Sequence, residues 1–566
     1  MKSYDAGPVD VPVLEETIGA NFERVAAAQP NADALVEVAT RRRWTYAELN
    51  DEVDTVARGL MALGVQKGDR VGIWAPNCAE WVMLQLATAR VGAILVNINP
   101  AYRTHELAYV LRQSQVRMLV AATAFKSSDY VTMVAEVQSE CPSLVDVIFL
   151  GTLDWDRLHI EQVGEDQLRS RIDELSNTDP INIQYTSGTT GFPKGATLSH
   201  RNIGNNGFFV GGLINLGRGD RVCIPVPFYH CFGMVMGNLG ALTHGATIVI
   251  PAPGFDPGIT LAAVESEHCT ALYGVPTMFI AMLGHPDFAG FDLSSLRTGI
   301  MAGSVCPIEV MKRVVADMHM AEVAICYGMT ETSPVSCQTL VDDDLERRTA
   351  TIGRAHPHVE VKIVDPDTGE TVERGQSGEF CTRGYSVMLG YWDEEANTRE
   401  AIDAEGWMHT GDLAVMREDG YCAVVGRIKD MVIRGGENVY PREIEEFLYT
   451  HPDIDDAQVI GVPDAKYGEE ICAWIRMKPG RDALDAAAVR AFATGKLAHY
   501  KIPRYVLVVD EFPMTVTGKI RKVDMREESV KLLGLAPGPA GGRALTNAAP
   551  RPSSPNVERS NPDQPR

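Results

Sequence analysis

Between residues 45 and 120 the hydrophobic pattern switches repeatedly between helical and extended spacing, and few architectures accept that. Thr45-Tyr-Ala-Glu48 has the form of a capping box, in which hydroxyl and carboxylate satisfy each other's exposed N–H groups. Leu49, Val53, Val56, Leu60 and Leu63 follow at helical spacing, and Gly64 suits the left-handed residue that ends a helix. Arg70–Trp74 reads as a strand. A helix from about Ala79, a strand over 93–97, a helix after Thr104 and a strand over 117–120 come next. Strands alternating with helices imply a parallel sheet covered on both faces. The tract Pro100-Ala-Tyr-Arg-Thr reads as a connecting loop within it.

The alternation resumes from about 180 to 350. The run over 220–228 is strand-like, 233–242 is apolar and helical, and 246–250 is another strand. From about 355 to 425 the segments shorten. Those over 359–364 and 378–382 are separated by Asp367-Thr-Gly and Arg374-Gly turns, which suggests antiparallel strands. After Gly426-Arg-Ile-Lys-Asp430 the chain restarts as a small α+β unit. Its strands are read over 431–434, 458–462, 471–477 and 505–509. One helix is opened by Pro441, and another covers 486–497 with Asp485 as N-cap. A chain of 566 residues exceeds a single core. The expectation is an α/β protein: a large N-terminal domain over 1–426, built of stacked α/β sheets plus a β subdomain; a hinge at 427–430; and a small α+β C-terminal domain over 431–535. Past Leu535 proline, glycine, serine and asparagine displace large apolar side chains, so 536–566 reads as a disordered tail.

Charge and cysteine usage narrow the function. A formal charge of −23 argues against general binding to nucleic acid or acidic membranes. It leaves room for a nucleotide, whose phosphates need only a local cluster. The 11 cysteines include no Cys-x-x-Cys pair, and Cys231, Cys326 and Cys422 sit in apolar or motif segments. That reads as reduced thiols in a cytoplasmic compartment, and not as a disulfide frame or zinc site. The N-terminus has no apolar core of a signal peptide. The most apolar run, Trp81 to Val96, is broken by Gln85 and Arg90, so no membrane span is expected.

The chemistry is concentrated in Tyr185-Thr186-Ser187-Gly188-Thr189-Thr190-Gly191-Phe192-Pro193-Lys194-Gly195. Glycines let a backbone turn tightly and bring N–H groups to an anion. The four hydroxyls can donate to phosphate oxygens, and Lys194 supplies a point charge. The string is not a Walker P-loop, because too few residues separate Gly188 from Gly191 and a proline precedes the lysine.

Written out, this string resembles the phosphate-binding signature of the adenylate-forming superfamily, which holds acyl- and aryl-CoA synthetases, peptide-synthetase adenylation domains and firefly-type luciferases. The resemblance runs over nearly the whole chain. It implies an acid activated by ATP as an acyl-adenylate, then passed to the thiol of CoA, with magnesium as the metal cofactor and the small domain mobile between the two steps. Tyr327-Gly328-Met-Thr330-Glu331-Thr matches the adenine and metal segment. The match implies that Tyr327 stacks on adenine, Thr330 meets the α-phosphate and Glu331 ligates magnesium. Thr410-Gly-Asp412 resembles the ribose motif, with Arg427 adding contacts, and the resemblance assigns Gly303 and Ser304 to the nucleotide. Lys429 matches the hinge position. Arg434-Gly435-Gly436-Glu437 resembles the loop lining the pantetheine tunnel. Lys519, in Pro513-Met-Thr-Val-Thr-Gly-Lys, matches the lysine that bridges substrate carboxylate and α-phosphate. Its context also resembles that of synthetases silenced by lysine acylation, which implies a lysine acyltransferase as a partner acting on Lys519.

The acid is addressed by Phe228-Tyr229-His230-Cys-Phe-Gly-Met234-Val-Met236-Gly237, which matches the acyl-pocket segment. His230 is placed to gate the carboxylate, a role weighed evenly against a structural one. Tyr229, Met234, Met236 and Gly237 line a flexible apolar channel, with 301–304 as another wall. Residues 225–240 contain no Asp or Glu to pair with an amino acid's ammonium, and a buried unpaired ammonium is costly. The substrate is therefore read as a medium- or long-chain fatty acid. The alternatives are an aryl- or short-chain acyl-CoA ligase and, from a different class, a non-catalytic nucleotide-binding module.

Overall fold

The computed structural model describes residues 1–159, 162–186, 193–304, 306–434, 437–514 and 520–535. The chain divides into two compact units, one spanning Met1–Val425 and the other Gly426–Pro513 and rejoined from Ile520. The reading of 536–566 as a tail lies outside the described residues.

The capping box forms as the sequence implies. Glu48 N–H donates to Thr45 Oγ1 at 3.2 Å, and Thr45 N–H donates to Glu48 Oε2 at 2.8 Å. The helix Tyr46–Ala62 follows, with Leu49, Val53, Val56 and Leu60 wholly buried. Burial of four such side chains contributes about 1.5–3 kcal/mol each, against ~1 kcal/mol for the cap. Gly59 is required by packing, since a Cβ there would lie 2.1 Å from the Leu158 carbonyl oxygen.

The helix Ala79–Val91 buries every residue except Glu80, as expected of a helix apolar all round. Its two longest buried polar side chains are satisfied inside the protein. Gln85 Nε2 donates to the Met234 carbonyl at 3.3 Å, and its Oε1 accepts from Asn238 at 3.1 Å. Arg90 is 2% exposed, pairs with Asp54 and donates to Asn50 Oδ1 at 2.6 Å. Among the described residues no helix is long and apolar enough to cross a membrane.

Two large sheets carry the first unit. One orders Gly390–Tyr391, Lys194–Ser199, Pro180–Thr186, Ile94–Asn97, Arg70–Trp74, Met118–Ala121 and Asp146–Phe149. The other orders Arg354–Ala355, Val335–Gln338, Glu322–Gly328, Thr298–Ala302, Ala271–Gly274, Arg221–Cys223, Thr247–Ile250, Asp33–Glu37 and Arg42–Thr45. Both are parallel through their centres and antiparallel at an edge. Such centres are buried on both faces. A third sheet runs Tyr4–Ala6, Val359–Val364, Ser377–Gly384, Met408–Met416 and Cys422–Arg427, and its pairs that involve the first four strands are antiparallel.

In the smaller unit Ile454–Asp464 pairs antiparallel with Gly468–Met477, which also pairs with Val432–Arg434 and, in parallel, with Tyr505–Val508. Asp485 caps its helix by accepting from Ala488 N–H at 2.7 Å, but that helix ends at Ala493, four residues short of the expected Leu497. Gly495 lies just beyond with φ +81°, a conformation in which a helix cannot continue. The strand read over 220–228 is likewise only Arg221–Cys223, because Pro225 and Pro227 cannot donate to a ladder.

Candidate active site

The first large sheet brings the two ends of the glycine–hydroxyl string together. Thr186 and Lys194 pair across an antiparallel hairpin, and Thr186 Oγ1 donates to the Lys194 carbonyl at 3.4 Å. Pro193 is half-buried, its carbonyl accepting from Tyr109 OH at 3.0 Å. Ser187, Gly188, Thr189, Thr190, Gly191 and Phe192 lie outside the described residues.

In the second sheet Glu322–Gly328 runs parallel to Thr298–Ala302, with Ala302 beside Cys326. Tyr327–Gly328 and Gly303–Ser304 therefore leave adjacent strands at the same carboxyl end, where open α/β sheets gather ligands. Gly303 has φ +96°, and Gly303 and Ser304 are both exposed. At Gly328 a Cβ would sit 1.7 Å from the Pro334 carbonyl oxygen, so no larger residue fits. Thr330 and Glu331 share a single 3₁₀ turn and are 9% and 5% exposed.

The Glu331 carboxylate ties the two sheets together. Its Oε1 accepts from Tyr391 OH at 2.8 Å and lies 3.5 Å from Thr186 Oγ1, whose one proton is shared between this carboxylate and the Lys194 carbonyl. Tyr391 is held in turn by pairing with Ala196, and its ring lies 5.1 Å from Lys194 Nζ. Burial first, and then the Glu331 charge, raise the Tyr391 phenol above its usual range, so it stays a donor. Sequence reasoning missed Tyr391. Its only mark was an aromatic pair, Tyr391-Trp392, in a turn-rich stretch.

Asp412 arrives from the third sheet. Between Glu379↔Leu413 and Cys381↔His409 the register shifts, so 410–412 stand opposite Phe380 alone. This bulge is pinned by Thr410 Oγ1, which donates to the Phe380 carbonyl at 2.7 Å, and by Gly411 N–H, which donates to Glu379 Oε1 at 3.1 Å. Gly411 takes φ +70°. The result places Asp412 Oδ2 2.7 Å from the donating Tyr327 OH. Bulges re-aim side chains in this way beside functional sites.

The segment read as the acyl pocket winds as a π-helix over Phe232–Leu239, a form frequent at functional sites. Met234 and Met236 are fully packed, and Met234 Sδ lies 3.4 Å from Asn97 Nδ2. A Cβ on Gly237 would approach Ile224 side-chain carbons to 3.0 Å. His230 is half-buried, and its Nδ1 accepts from Phe232 N–H at 3.2 Å. Tyr229 OH is buried without a hydrogen-bond partner among the described atoms. Cys231 ties this segment to the strand Pro180–Thr186: its thiol donates to Gln184 Oε1 at 3.1 Å, and burial, followed by the Glu331 charge, pushes it well up.

In the smaller unit Arg427 and Lys429 are exposed, and the Arg427 carbonyl accepts from the Asp430 and Met431 N–H groups at 3.1 and 3.0 Å, closing a tight turn around Lys429. Arg434 forms a bidentate pair with Glu470, with Nη2 to Oε2 at 2.9 Å, and its guanidinium lies 4.4 Å from the Tyr467 ring. Glu437 lies on the strand Glu437–Val439. Gly435, Gly436 and Lys519 lie outside the described residues. The Arg434 and Glu470 side chains are only 14% and 1% exposed. Glu470→Ala is therefore expected to destabilise this unit by about 3–5 kcal/mol, since it strands a buried guanidinium. A lowered unfolding midpoint checks it; an unchanged midpoint contradicts the pairing.

The comparisons fall on the same segments. The AMP-binding enzyme family matches residues 22–392, and the AMP-binding enzyme C-terminal domain matches 443–519. The chain is 48% identical over 545 residues to YngI of Bacillus subtilis (strain 168), described as an acyl-CoA synthetase, covering 93% of this chain and 99% of that one. It is 45% identical over 555 residues to the mitochondrial medium-chain acyl-CoA ligase ACSF2 of Danio rerio, covering 94% and 91%. Among solved structures, the anthranilate CoA ligase AuaEII in complex with anthranoyl-AMP superposes with a TM-score of 0.80 at 28% identity, over 93% of this chain and 99% of that one.

Proposed function

The chain belongs to the AMP-binding enzyme family and is an AMP-forming acid–thiol ligase, and we propose that its acid is a medium- or long-chain fatty acid, activated as acyl-AMP and delivered to CoA. The observation that carries this reading is the meeting of Thr186, Lys194, Tyr391 and Glu331 near Tyr327 and Asp412. In the first step the carboxylate oxygen attacks the α-phosphorus of ATP and pyrophosphate leaves. In the second the CoA sulfur attacks the acyl carbon and AMP leaves.

The roles are those that the resemblance implies. Residues 186–194 cradle the outer phosphates, with Thr330 at the α-phosphate. Tyr327 faces adenine, while Asp412 and Arg427 take the ribose and Gly303–Ser304 the nucleotide's edge. The buried Glu331 carboxylate beside the Thr186 hydroxyl is an oxygen donor set that suits magnesium, a hard cation. Bound there, magnesium would neutralise charge on the phosphates. Lys519 bridges carboxylate and α-phosphate, and a transferase that acylates it would remove the charge. Installing acetyl-lysine at 519 without loss of acyl-AMP formation would end that part of the reading. Lys429 is the hinge, and 434–437 form the pantetheine loop, in which the Glu470 pair gives Arg434 a positioning role. The free cysteines suit a reducing compartment, the cytoplasm.

Support for a fatty acid comes from the relative whose name specifies medium-chain acids and from a wholly apolar π-helical wall apart from Asn238. The aromatic acid of the anthranilate ligase marks the alternative. A panel from acetate to palmitate, with benzoate, scored by the mass of the CoA product, decides. The highest kcat/KM is expected at octanoate or longer; a preference for benzoate or acetate overturns the fatty-acid assignment. ATP binding without product from any acid would favour a non-catalytic module.

A further inference from the structure

We propose that Glu379, Cys381 and His409 form a binding site for a thiophilic divalent cation of the zinc class, set behind the bulge that presents Asp412. Glu379 and Cys381 are two residues apart on one strand and so share a face. Cys381 pairs in register with His409 on the next strand and with Lys362 on the other side. The three ligand atoms lie within 4.8 Å of one another. Cys381 Sγ is 3.5 Å from His409 Nδ1, and that nitrogen is 2.8 Å from Glu379 Oε2.

Tetrahedral zinc with ordinary bond lengths holds its ligand atoms about 3.3–3.8 Å apart. The sulfur–nitrogen separation already fits, and the nitrogen–oxygen separation needs to open by roughly half an ångström. The donor set of thiolate, imidazole and carboxylate is the one that zinc selects over magnesium. The surroundings match what metal-binding histidines need. His409 Nε2 faces Asp403 Oδ2 at 3.6 Å, the carboxylate–histidine arrangement that orients a ligating ring. Glu379 Oε1 is fixed by Gly411 N–H, leaving Oε2 for the ion. Cys381 is buried while the His409 side chain is 31% exposed, so the cluster is not wholly enclosed, and a four-coordinate ion there would take water as its fourth ligand.

The sequence pattern hid this cluster, because its members are split between two strands with no Cys-x-x-Cys spacing. An ion there would displace protons from the imidazole and the thiol, so its affinity rises with pH. Among the described residues, Lys362 and Asp403 are charges beside it. Glu379 also holds the turn that carries Asp412, so cation and nucleotide affinities are expected to be linked.

The test is a cobalt(II) titration of the full chain, stripped with chelator and kept in excess magnesium. Wild type is expected to bind a single equivalent with a near-ultraviolet sulfur-to-cobalt charge-transfer band and the visible bands of four-coordinate cobalt. Cys381→Ser is expected to lose the charge-transfer band, and His409→Gln to weaken binding at least about tenfold. Cys78→Ser, at the half-buried thiol outside the cluster, should leave the spectrum unchanged. Should Cys381→Ser not fold, Glu379→Gln, which can still accept from Gly411 N–H, reads the same loss of affinity. A charge-transfer band that survives Cys381→Ser, affinity unmoved by His409→Gln or Glu379→Gln, or no band in wild type overturns the site.

Discussion

Glu331→Gln is expected to fold normally and to lose acyl-adenylate formation by on the order of 10²–10³-fold. Glutamine keeps the volume of the side chain and an oxygen that can accept from Tyr391 OH and Thr186 Oγ1. What disappears is the negative charge. A carboxylate that is 5% exposed and rests on neutral hydroxyls is costly to hold in the folded state. Neutralising it should leave the unfolding midpoint equal or higher, the mark of a charge kept for function rather than stability. ATP–pyrophosphate exchange driven by the acid reads the chemical loss. Exchange at the wild-type rate would remove Glu331 from the metal role and reduce it to a strut between sheets.

The second large effect separates the two half-reactions. Lys519→Ala is expected to lower acyl-AMP formation by on the order of 10²–10³-fold, because a cation aimed at developing charge is lost. The same variant, supplied with acyl-AMP and CoA, should still make the thioester, since the phosphoryl chemistry is already complete. A bulky replacement at Gly435 should do the reverse, leaving adenylation intact and blocking the thiol's path. If both variants lose both steps equally, the two-step division of labour between these segments is wrong.

Where local chemistry decides the outcome, the sequence is a good guide. The Thr45–Glu48 capping box, the Leu49–Leu60 stripe and the Asp485 cap are set by neighbours three or four residues away, and all three form. Where distant contacts decide, it is not. Periodicity finds a helix after Gly233, but its π winding over Phe232–Leu239 depends on packing against Gly207, Ile224 and Pro227, which no local pattern encodes. Thr410-Gly-Asp412 can be matched to the ribose motif, but its geometry cannot be read from the string. Its aim at Tyr327 comes from a register shift against Phe380, thirty residues upstream. Tyr391 is invisible for the same reason, because its partner Glu331 lies 60 residues earlier.

The π-helical wall has a consequence for how such a ligase changes its diet. Each turn of that form holds one residue more than an ordinary helical turn, so a single-codon deletion within Phe232–Leu239 has a natural α-helical product to relax into. Side chains within the segment would re-space from the π to the α angle, while the chain beyond it would keep its direction. On the proposal that this segment walls the acid, one mutational step would change the residues it presents, where point changes would need several. Insertion and deletion within this segment would then be a cheap path to a changed acid preference.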